Sequence, residues 1–442
     1  MTITERQAAA ERLARSPVVG PSRPRLLEIL GPGLISGAAD DDPTAIATYS
    51  QAGARFGYGL CWLVPLVYPL MVVVQQVSAR VGRTTGHGLA GNLRRHCPGW
   101  FLYVSVALLL VANVVAIAVD LSVMADALRL LVGGPHLLYV LLFGAFCVGT
   151  QIFMRYTRYV AVLKWTTLTL FAYFGALFMV EVPWEEVAAA MLAPSFTFET
   201  RYVTTMVAIF GVALSPYLFF WQASQEVEDQ RVKPLREPLV EAPEQASGAL
   251  ERIRLDTYIG MAVANLVGLA IVITAGTTLH VNGVTEVQTS AQAAEALRPI
   301  AGGFTFAIFS IGIIGTGRLA IPVLAGSTAY AIGEARKWPV GLARSPLEAK
   351  AFYATVAVAT LAGIAANFAG LDPIRALYWS AVINGIVATP VLAVMMWIAA
   401  QPAIMGEFTI GMPLKLGGWI ATAVVAASVG AMGVAAGLEF GR

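Results

Sequence analysis

The sequence predicts an all-α polytopic membrane protein, and three observations carry that prediction. Of its 442 residues, 57% are apolar and only 13% are charged, whereas soluble domains average about 25% charged residues. The mean hydropathy is +0.70. The apolar residues fall in blocks of about twenty, the length that a helix needs to cross a hydrocarbon core about 30 Å thick. The composition therefore disfavours an ordinary soluble enzyme.

Eleven apolar spans follow one another along the chain. Their length, and their content of Ala, Leu and Gly, favour helices over strands, and a helix satisfies its own backbone amides in lipid. We predict helices over about residues 27–52, 60–80, 100–121, 137–154, 157–180, 202–224, 256–277, 304–332, 349–368, 373–400 and 416–438.

Basic residues mark alternate loops. Five arginines lie in the first 25 residues, and further Lys and Arg residues follow the second, sixth and eighth spans, whereas the loop after the fifth span carries four glutamates. We expect the protein to lie in the cell inner membrane. The positive-inside rule then places its N-terminus in the cytoplasm. With eleven spans, the C-terminus is then extracellular or periplasmic.

The charge balance and the missing motifs limit the function. The 29 basic and 27 acidic residues nearly cancel, which argues against a nucleic-acid partner. Cys61, Cys97 and Cys147 show neither pairing nor metal-ligand spacing, and no hydrolase or P-loop motif is present. We therefore expect that the protein is not an enzyme. We also expect no cofactor, and a monomer whose partners are the lipid membrane and its substrate.

Three acids break the first span. Asp40, Asp41 and Asp42 lie near mid-membrane, where each costs on the order of 2.5–3.5 kcal/mol on insertion scales. Pro43 has no amide proton and disfavours helical geometry at the residue before it. We predict that the helix stops before Asp42, and that a second helix starts at Pro43 with Asp42 as its cap.

The sixth span repeats this pattern, with Ser215 directly before Pro216. Each polar residue alone is typical of a helix cap, and a lone Ser-Pro is typical of a kink. Two matched breaks, five spans apart, instead indicate an inverted repeat with a substrate site at the midplane. Oxygen ligands at such breaks suit a hard cation.

This pairing predicts the organisation of the whole chain. We expect a cytosolic tail over 1–26, a first five-helix repeat over 27–180, an extracellular loop over 181–201, a second five-helix repeat over 202–400 with a cytosolic connector at 225–255, and a cytosolic loop with the eleventh helix over 401–442.

Residues 42–58 read Asp-Pro-Thr-Ala-Ile-Ala-Thr-Tyr-Ser-Gln-Ala-Gly-Ala-Arg-Phe-Gly-Tyr. This block resembles the first-span signature of the Nramp family of divalent-metal transporters, which contains Asp-Pro-Gly-Asn, Ala-Thr, Gln-Ala-Gly-Ala and Phe-Gly-Tyr. The resemblance implies a leucine-transporter-type bundle. Such a bundle has ten core helices in two inverted fives, an added eleventh helix here, and breaks in helices 1 and 6.

The resemblance also implies a metal site. In the family, the metal is held by the Asp, the Asn, the Met of a Met-Pro-His motif in span six, and carbonyls at the breaks. Asp42 keeps its ligand role, whereas Ala45 replaces the Asn, Ser215 replaces the Met and Tyr217 replaces the His.

Two residues beside the breaks, Thr44 and Ala213, complete the predicted metal site. The two substitutions change the chemistry of that site. A thioether favours soft transition metals, whereas a serine offers only a hard oxygen. Fewer protein ligands leave room for retained water, as magnesium prefers, and Asp40 and Asp41 add negative charge. The site is therefore similar to that of the magnesium-transporting branch of the family, and Mg or Mn is favoured.

Further polar residues are assigned to the substrate pathway with Asp40, Asp41 and Tyr217. Asp120 keeps one acidic position that the family has in span three, but Asn113 and Val123 occupy two others, so we expect weak or no proton coupling. Asn384 either reaches the ion or bonds a neighbouring helix. Arg318 needs an acidic partner at this depth, and Asp120 is the candidate.

Three functions remain open at this point. The favoured one is a secondary transporter or facilitator that moves a divalent cation by alternating access. The second is a transporter of a small organic solute on the same architecture, because a fold does not fix a substrate. The third is a non-transporting sensor.

Overall fold

The structure is a computed structural model that describes residues 31–440 except 155, 195, 233–235 and 371. The predicted tail over 1–26 lies outside the described residues. Every regular element in the described part of the chain is helical. The elements of its first half are the helices α1 Pro32–Asp40, α2 Pro43–Phe56, α3 Leu63–Thr85, α4 Leu89–His96, α5 Gly99–Val132, α6 His136–Phe153, α7 Tyr156–Thr166, α8 Phe171–Phe178 and α9 Trp184–Leu192.

The second half continues in the same way. Its elements are the helices α10 Thr200–Ala213, α11 Pro216–Val232, α12 Ala246–Ala275, α13 Ser290–Arg336, α14 Lys350–Phe368, α15 Pro373–Ala400, α16 Pro402–Met405 and α17 Met412–Phe440. A 3₁₀ turn joins α7 to α8, and a π-helical turn over Gly276–His280 extends α12.

Ten helical segments in the described residues are long and apolar enough to cross a membrane. The first predicted span is not among them because it consists of two short helices, α1 with 9 residues and α2 with 14. With this broken span added, all eleven predicted spans are helical. The all-α prediction is confirmed.

The eighth span is longer than predicted. Its helix α13 has 47 residues and bends at Gly302, where φ is 85° and ψ is 165°. Only glycine adopts this backbone conformation without strain. The bend divides a helix that would otherwise be about 70 Å long.

The predicted connector at 225–255 is mostly helical. Helix α11 extends to Val232 and α12 begins at Ala246. The described part between them is held to α3, because the buried Arg83 donates to the carbonyl of Glu237, 2.6 Å away, and to the side chain of Gln245, 2.8 Å away. These hydrogen bonds order the described part of the connector.

Glycines bring α1 and α12 into backbone contact. A Cβ atom on Gly37 would lie 2.2 Å from the carbonyl oxygen of Gly260, and one on Gly260 would lie 2.1 Å from that of Gly33. Small residues of this kind let membrane helices approach closely. The contact places α1 directly against α12.

Candidate metal site at the two helix breaks

The first break lies at Asp41 and Asp42. Helix α1 ends at Asp40, Asp41 has φ −82° and ψ 47°, and Asp42 is extended with φ −66° and ψ 166°. The Asp42 carboxylate accepts a hydrogen bond from the amide of Ala45, 2.8 Å away. The predicted stop, restart at Pro43 and cap are all present.

The second break lies at Leu214 and Ser215. Helix α10 ends at Ala213, Leu214 leaves helical geometry with φ −120° and ψ 39°, and α11 starts at Pro216. Two backbone carbonyls of α10 accept from the Ser215 hydroxyl, that of Val212 at 2.9 Å and that of Gly211 at 3.2 Å. The expected cap on α11 is therefore wrong, because the hydroxyl completes the end of α10 instead.

Tyr217 joins the two breaks. Its hydroxyl donates to the carbonyl of Ala39, 2.8 Å away, and to the carboxylate of Asp42, 3.3 Å away. The tyrosine is the second residue of α11, whereas both acceptors belong to the first span. The two breaks are thus in direct contact, as a site between them requires.

Four carboxylates are buried around this contact. The side chains of Asp40, Asp41, Asp42 and Asp120 are each at most 7% exposed. Both side-chain oxygens of Asp41, and one of Asp40, have no hydrogen-bond partner among the described residues. Burying carboxylates without partners is costly, so this region is suited to a positively charged guest.

The position of Asp120 links α5 to the first break. Its carboxylate lies beside the Thr44 hydroxyl and close enough to Asp42 for a direct electrostatic interaction. The described residues contain no group of three His, Cys, Asp or Glu side chains arranged as metal ligands. The oxygens available at the breaks are therefore mixed, with carboxylates, hydroxyls and the last carbonyls of α1 and α10, Ala213 among them.

The expected pairing of Arg318 with Asp120 is wrong. The Arg318 guanidinium lies over the ring of Phe146, 4.3 Å from its centroid, and the structure contains no ion pair from Arg318 to an acid in the residues it describes. A cation–π contact lowers the cost of this charge. The buried side-chain oxygen of Asn384, in α15, has no hydrogen-bond partner among the described residues, so its predicted place in the substrate pathway stays a prediction.

A cavity of about 440 Å³ leads to the breaks from one side. It starts at Thr44, follows α2 past Thr48 to Arg55, and lies between α2, α10, α15 and α17. At its mouth, Arg55 pairs with Glu286 at 2.6 Å and Gln51 accepts from the amide of Val287, also at 2.6 Å. We call this the outer cavity.

Contacts close the opposite side of the first span. The carboxylate of Asp256, in α12, accepts three amide hydrogen bonds at the start of α1, from Gly31 at 2.8 Å, Gly33 at 2.7 Å and Leu34 at 3.1 Å. Arg252 lies 4.0 Å from Asp256 and also pairs with the buried Glu226 of α11. Sequence analysis missed this group, although an acid within an apolar span is itself a signal of function.

Comparisons with known proteins agree with this geometry. A family model described as "Nramp: Natural resistance-associated macrophage protein-like" matches residues 33–435. The chain is 26% identical over 414 residues to the divalent metal cation transporter MntH of Klebsiella pneumoniae (strain 342). The alignment covers 90% of this chain and 92% of that protein.

Solved structures share the fold. The manganese transporter of Eremococcus coleocola superposes with a TM-score of 0.71 at 17% identity, over 93% of this chain and 87% of that one. Mhp1, a nucleobase-cation-symport-1 family transporter, superposes with a TM-score of 0.52 at 15% identity, over 91% of this chain and 92% of that one. The fold is therefore of the leucine-transporter type, as predicted.

Proposed function

This chain belongs to the Nramp family, and from that premise we propose that it moves a divalent metal cation across a cell inner membrane. Its relatives are named as transporters, in agreement with the expectation that it is not an enzyme. The observation that carries the proposal is the contact between the two breaks through Tyr217, with buried carboxylates around it.

Asp42 is the charged anchor of the proposed site. One of its oxygens caps α2 and the other meets Tyr217, which fixes the orientation of the carboxylate. The hydroxyls of Ser215 and Thr44, the last carbonyls of α1 and α10 with that of Ala213 among them, and retained waters complete the coordination shell next to Ala45. Hard oxygens alone surround the ion in this arrangement, so we propose Mg²⁺ or Mn²⁺ as substrate over soft metals.

Transport by alternating access is supported by the asymmetry of the two sides. The outer cavity reaches Thr44 at the first break, whereas the start of α1 is bound to Asp256 on the other side. Exchange between this arrangement and one with α1 released would expose the site to each side in turn.

Weak or absent proton coupling is part of the proposal. Asn113 occupies a position that is acidic in the family, and its amide donates to the carbonyl of Leu324 and to the hydroxyls of Ser327 and Thr328, at 2.9–3.1 Å. A neutral amide bound in this way neither releases nor takes up a proton. Asp120 is the remaining carboxylate on this helix near the breaks.

Flux into liposomes tests the proposal. The purified protein is expected to carry Mg²⁺ or Mn²⁺, and Asp42→Asn is expected to lower the rate about 100-fold, since a charged ligand is lost. Asp126→Asn is the matched control, because Asp126 lies in the same helix as Asp120 but pairs with His136 at 3.5 Å, away from the breaks. Absence of metal flux, or equal flux in Asp42→Asn, contradicts the proposal; binding of an organic solute by titration calorimetry would then favour the alternative substrate.

A further inference from the structure

A second cavity, of about 260 Å³, lies at the other end of the bundle, on the side predicted to be cytosolic. It is formed where the start of α4, the end of α11 and the end of α13 meet. Its lining residues are His87, Gly91, Arg94, Arg231, Glu334, Lys337, Trp338 and Val340. None of them takes part in the site at the helix breaks.

Positive charge dominates this cavity. Arg94, Arg231 and Lys337 contribute three cations, and Glu334 is the one acid in the lining. Both oxygens of Glu334 are already engaged, because they accept from the amides of Gly88 at 3.1 Å and Gly91 at 2.7 Å. Arg231 also pairs with the buried carboxylate of Glu228, 2.8 Å away. Three cations therefore face two acids, and one positive charge remains in excess.

The pKa of His87 reflects the positive charge of the cavity. Burial lowers the pKa of this side chain, and the positive charges of Arg95, Arg94 and Arg231 lower it further, whereas the hydrogen bond that the imidazole donates to the backbone at Gly86 raises it. Neighbouring cations disfavour a further positive charge. The lining of the cavity is therefore a place where an anion gains electrostatic energy.

Lys337 occupies a backbone position that seldom holds a lysine. With φ 59° and ψ 30° it ends α13 in the left-handed conformation, and it is the one non-glycine residue with positive φ in the part of the chain that the structure describes. Glycine or asparagine usually fills this position. Here a side chain with an ammonium group stands at the rim of the cavity despite the strain.

We propose that this cavity binds a phosphate group, from inorganic phosphate or from the headgroup of an anionic lipid. Nη1 of Arg94 donates to the Glu334 carbonyl, and Nη1 of Arg231 donates to the Glu228 carboxylate and the Val340 carbonyl. Nη2 of each planar guanidinium is left to meet phosphate oxygens, and Lys337 adds a point charge. The volume suits one phosphate with its waters. Basic pockets between membrane helices on the cytoplasmic side bind lipid phosphates, and the indole of Trp338, at 38% exposed, is typical of that depth.

Thermal unfolding of the full chain in detergent, without metal, tests the proposal. Sodium phosphate is titrated at constant ionic strength, and phosphatidylglycerol is added in a separate series. A ligand that binds only the folded state raises the Tm. Lys337→Asn removes the charge and suits the left-handed conformation, so it keeps the fold. Arg336→Gln is the matched control, since Arg336 stacks on Tyr103 with 5.6 Å to the ring centroid, outside the cavity.

The expected result is a rise in Tm for the wild type and for Arg336→Gln with phosphate, with phosphatidylglycerol, or with both. In Lys337→Asn the apparent affinity is expected to fall roughly tenfold or more, the loss that one hydrogen bond to a charged group predicts. A response to the lipid alone identifies the headgroup as the source. No response to either ligand, or equal responses in Lys337→Asn and Arg336→Gln, overturns the proposal. This measurement does not use metal flux. A negative result would therefore contradict the phosphate site without contradicting the proposed transport function.

Discussion

The hydroxyl of Tyr217 lies 3.3 Å from the carboxylate of Asp42, and by this contact the sixth span is bound to the first at the point where both are broken. The same hydroxyl donates to the carbonyl of Ala39 at 2.8 Å. A carbonyl and a carboxylate at a helix break are both ligands for a hard cation. Tyr217 therefore orients two candidate ligands with one side chain.

Tyr217→Phe is expected to loosen this arrangement. It removes the hydroxyl and leaves the ring, so two buried acceptors lose their donor, at a cost of about 1–3 kcal/mol. A lower Tm and a weaker apparent affinity for the transported metal should follow, measured by thermal unfolding and by flux. Tyr159→Phe is the control, because the buried hydroxyl of Tyr159 has no hydrogen-bond partner among the described residues. Equal effects of the two substitutions would argue that Tyr217 only fills space.

Asp256 holds the start of α1, and Asp256→Asn is expected to release it. Asparagine carries no negative charge, and its side chain has only one carbonyl oxygen to accept from the three amides. Each hydrogen bond to a charged group contributes about 1.5–3 kcal/mol. A cysteine placed at Leu34, in a background with Cys97→Ser, should then react with a maleimide about tenfold faster or more.

Glu251→Gln is the control for this release. Glu251 is exposed in the same helix, five residues before Asp256, and its substitution removes the same charge without touching α1. Labelling at position 34 that does not differ between Asp256→Asn and Glu251→Gln would contradict a role for Asp256 in holding α1.

The positions of both breaks were predictable from sequence because their causes are local. Pro43 and Pro216 lack an amide proton, and each follows a polar residue in an apolar span. The partner of Ser215 was not predictable, since the hydroxyl had two choices within one turn, the amides of α11 and the carbonyls of α10. It takes the carbonyls.

Contacts between residues far apart in the sequence could not be predicted, for a different reason. The buried charge of Arg318 needs a stabilising partner in the membrane, and either an acid or an aromatic ring can provide it. Only the packing of α6 against α13 places Phe146 beneath the guanidinium. The role of Asp256 depends in the same way on glycines that bring α1 within reach of α12.

Gly260→Ala is expected to separate α1 from α12. The added Cβ would lie 2.1 Å from the carbonyl oxygen of Gly33, where only backbone movement makes room. Overpacking of this kind costs about 1–3 kcal/mol, so the Tm should fall and flux should decrease. Gly248→Ala, in the same helix with open space around its Cβ, should be neutral or stabilising by up to about 1 kcal/mol. A tolerated Gly260→Ala would show that the close approach of the two helices is not required.

Ser215→Met is expected to shift the substrate preference towards soft metals. Position 215 lies at the second break, and the nearby Gly211 and Val212 line the outer cavity with Thr44. A thioether ligand favours cadmium over magnesium. The cadmium concentration that half-inhibits Mn²⁺ flux should fall about tenfold, which corresponds to about 1.4 kcal/mol. Ser215→Leu has a similar volume without the sulfur and should not produce this fall. If it does, the change reflects altered shape at the break, and the assignment of residue 215 as a metal ligand is wrong.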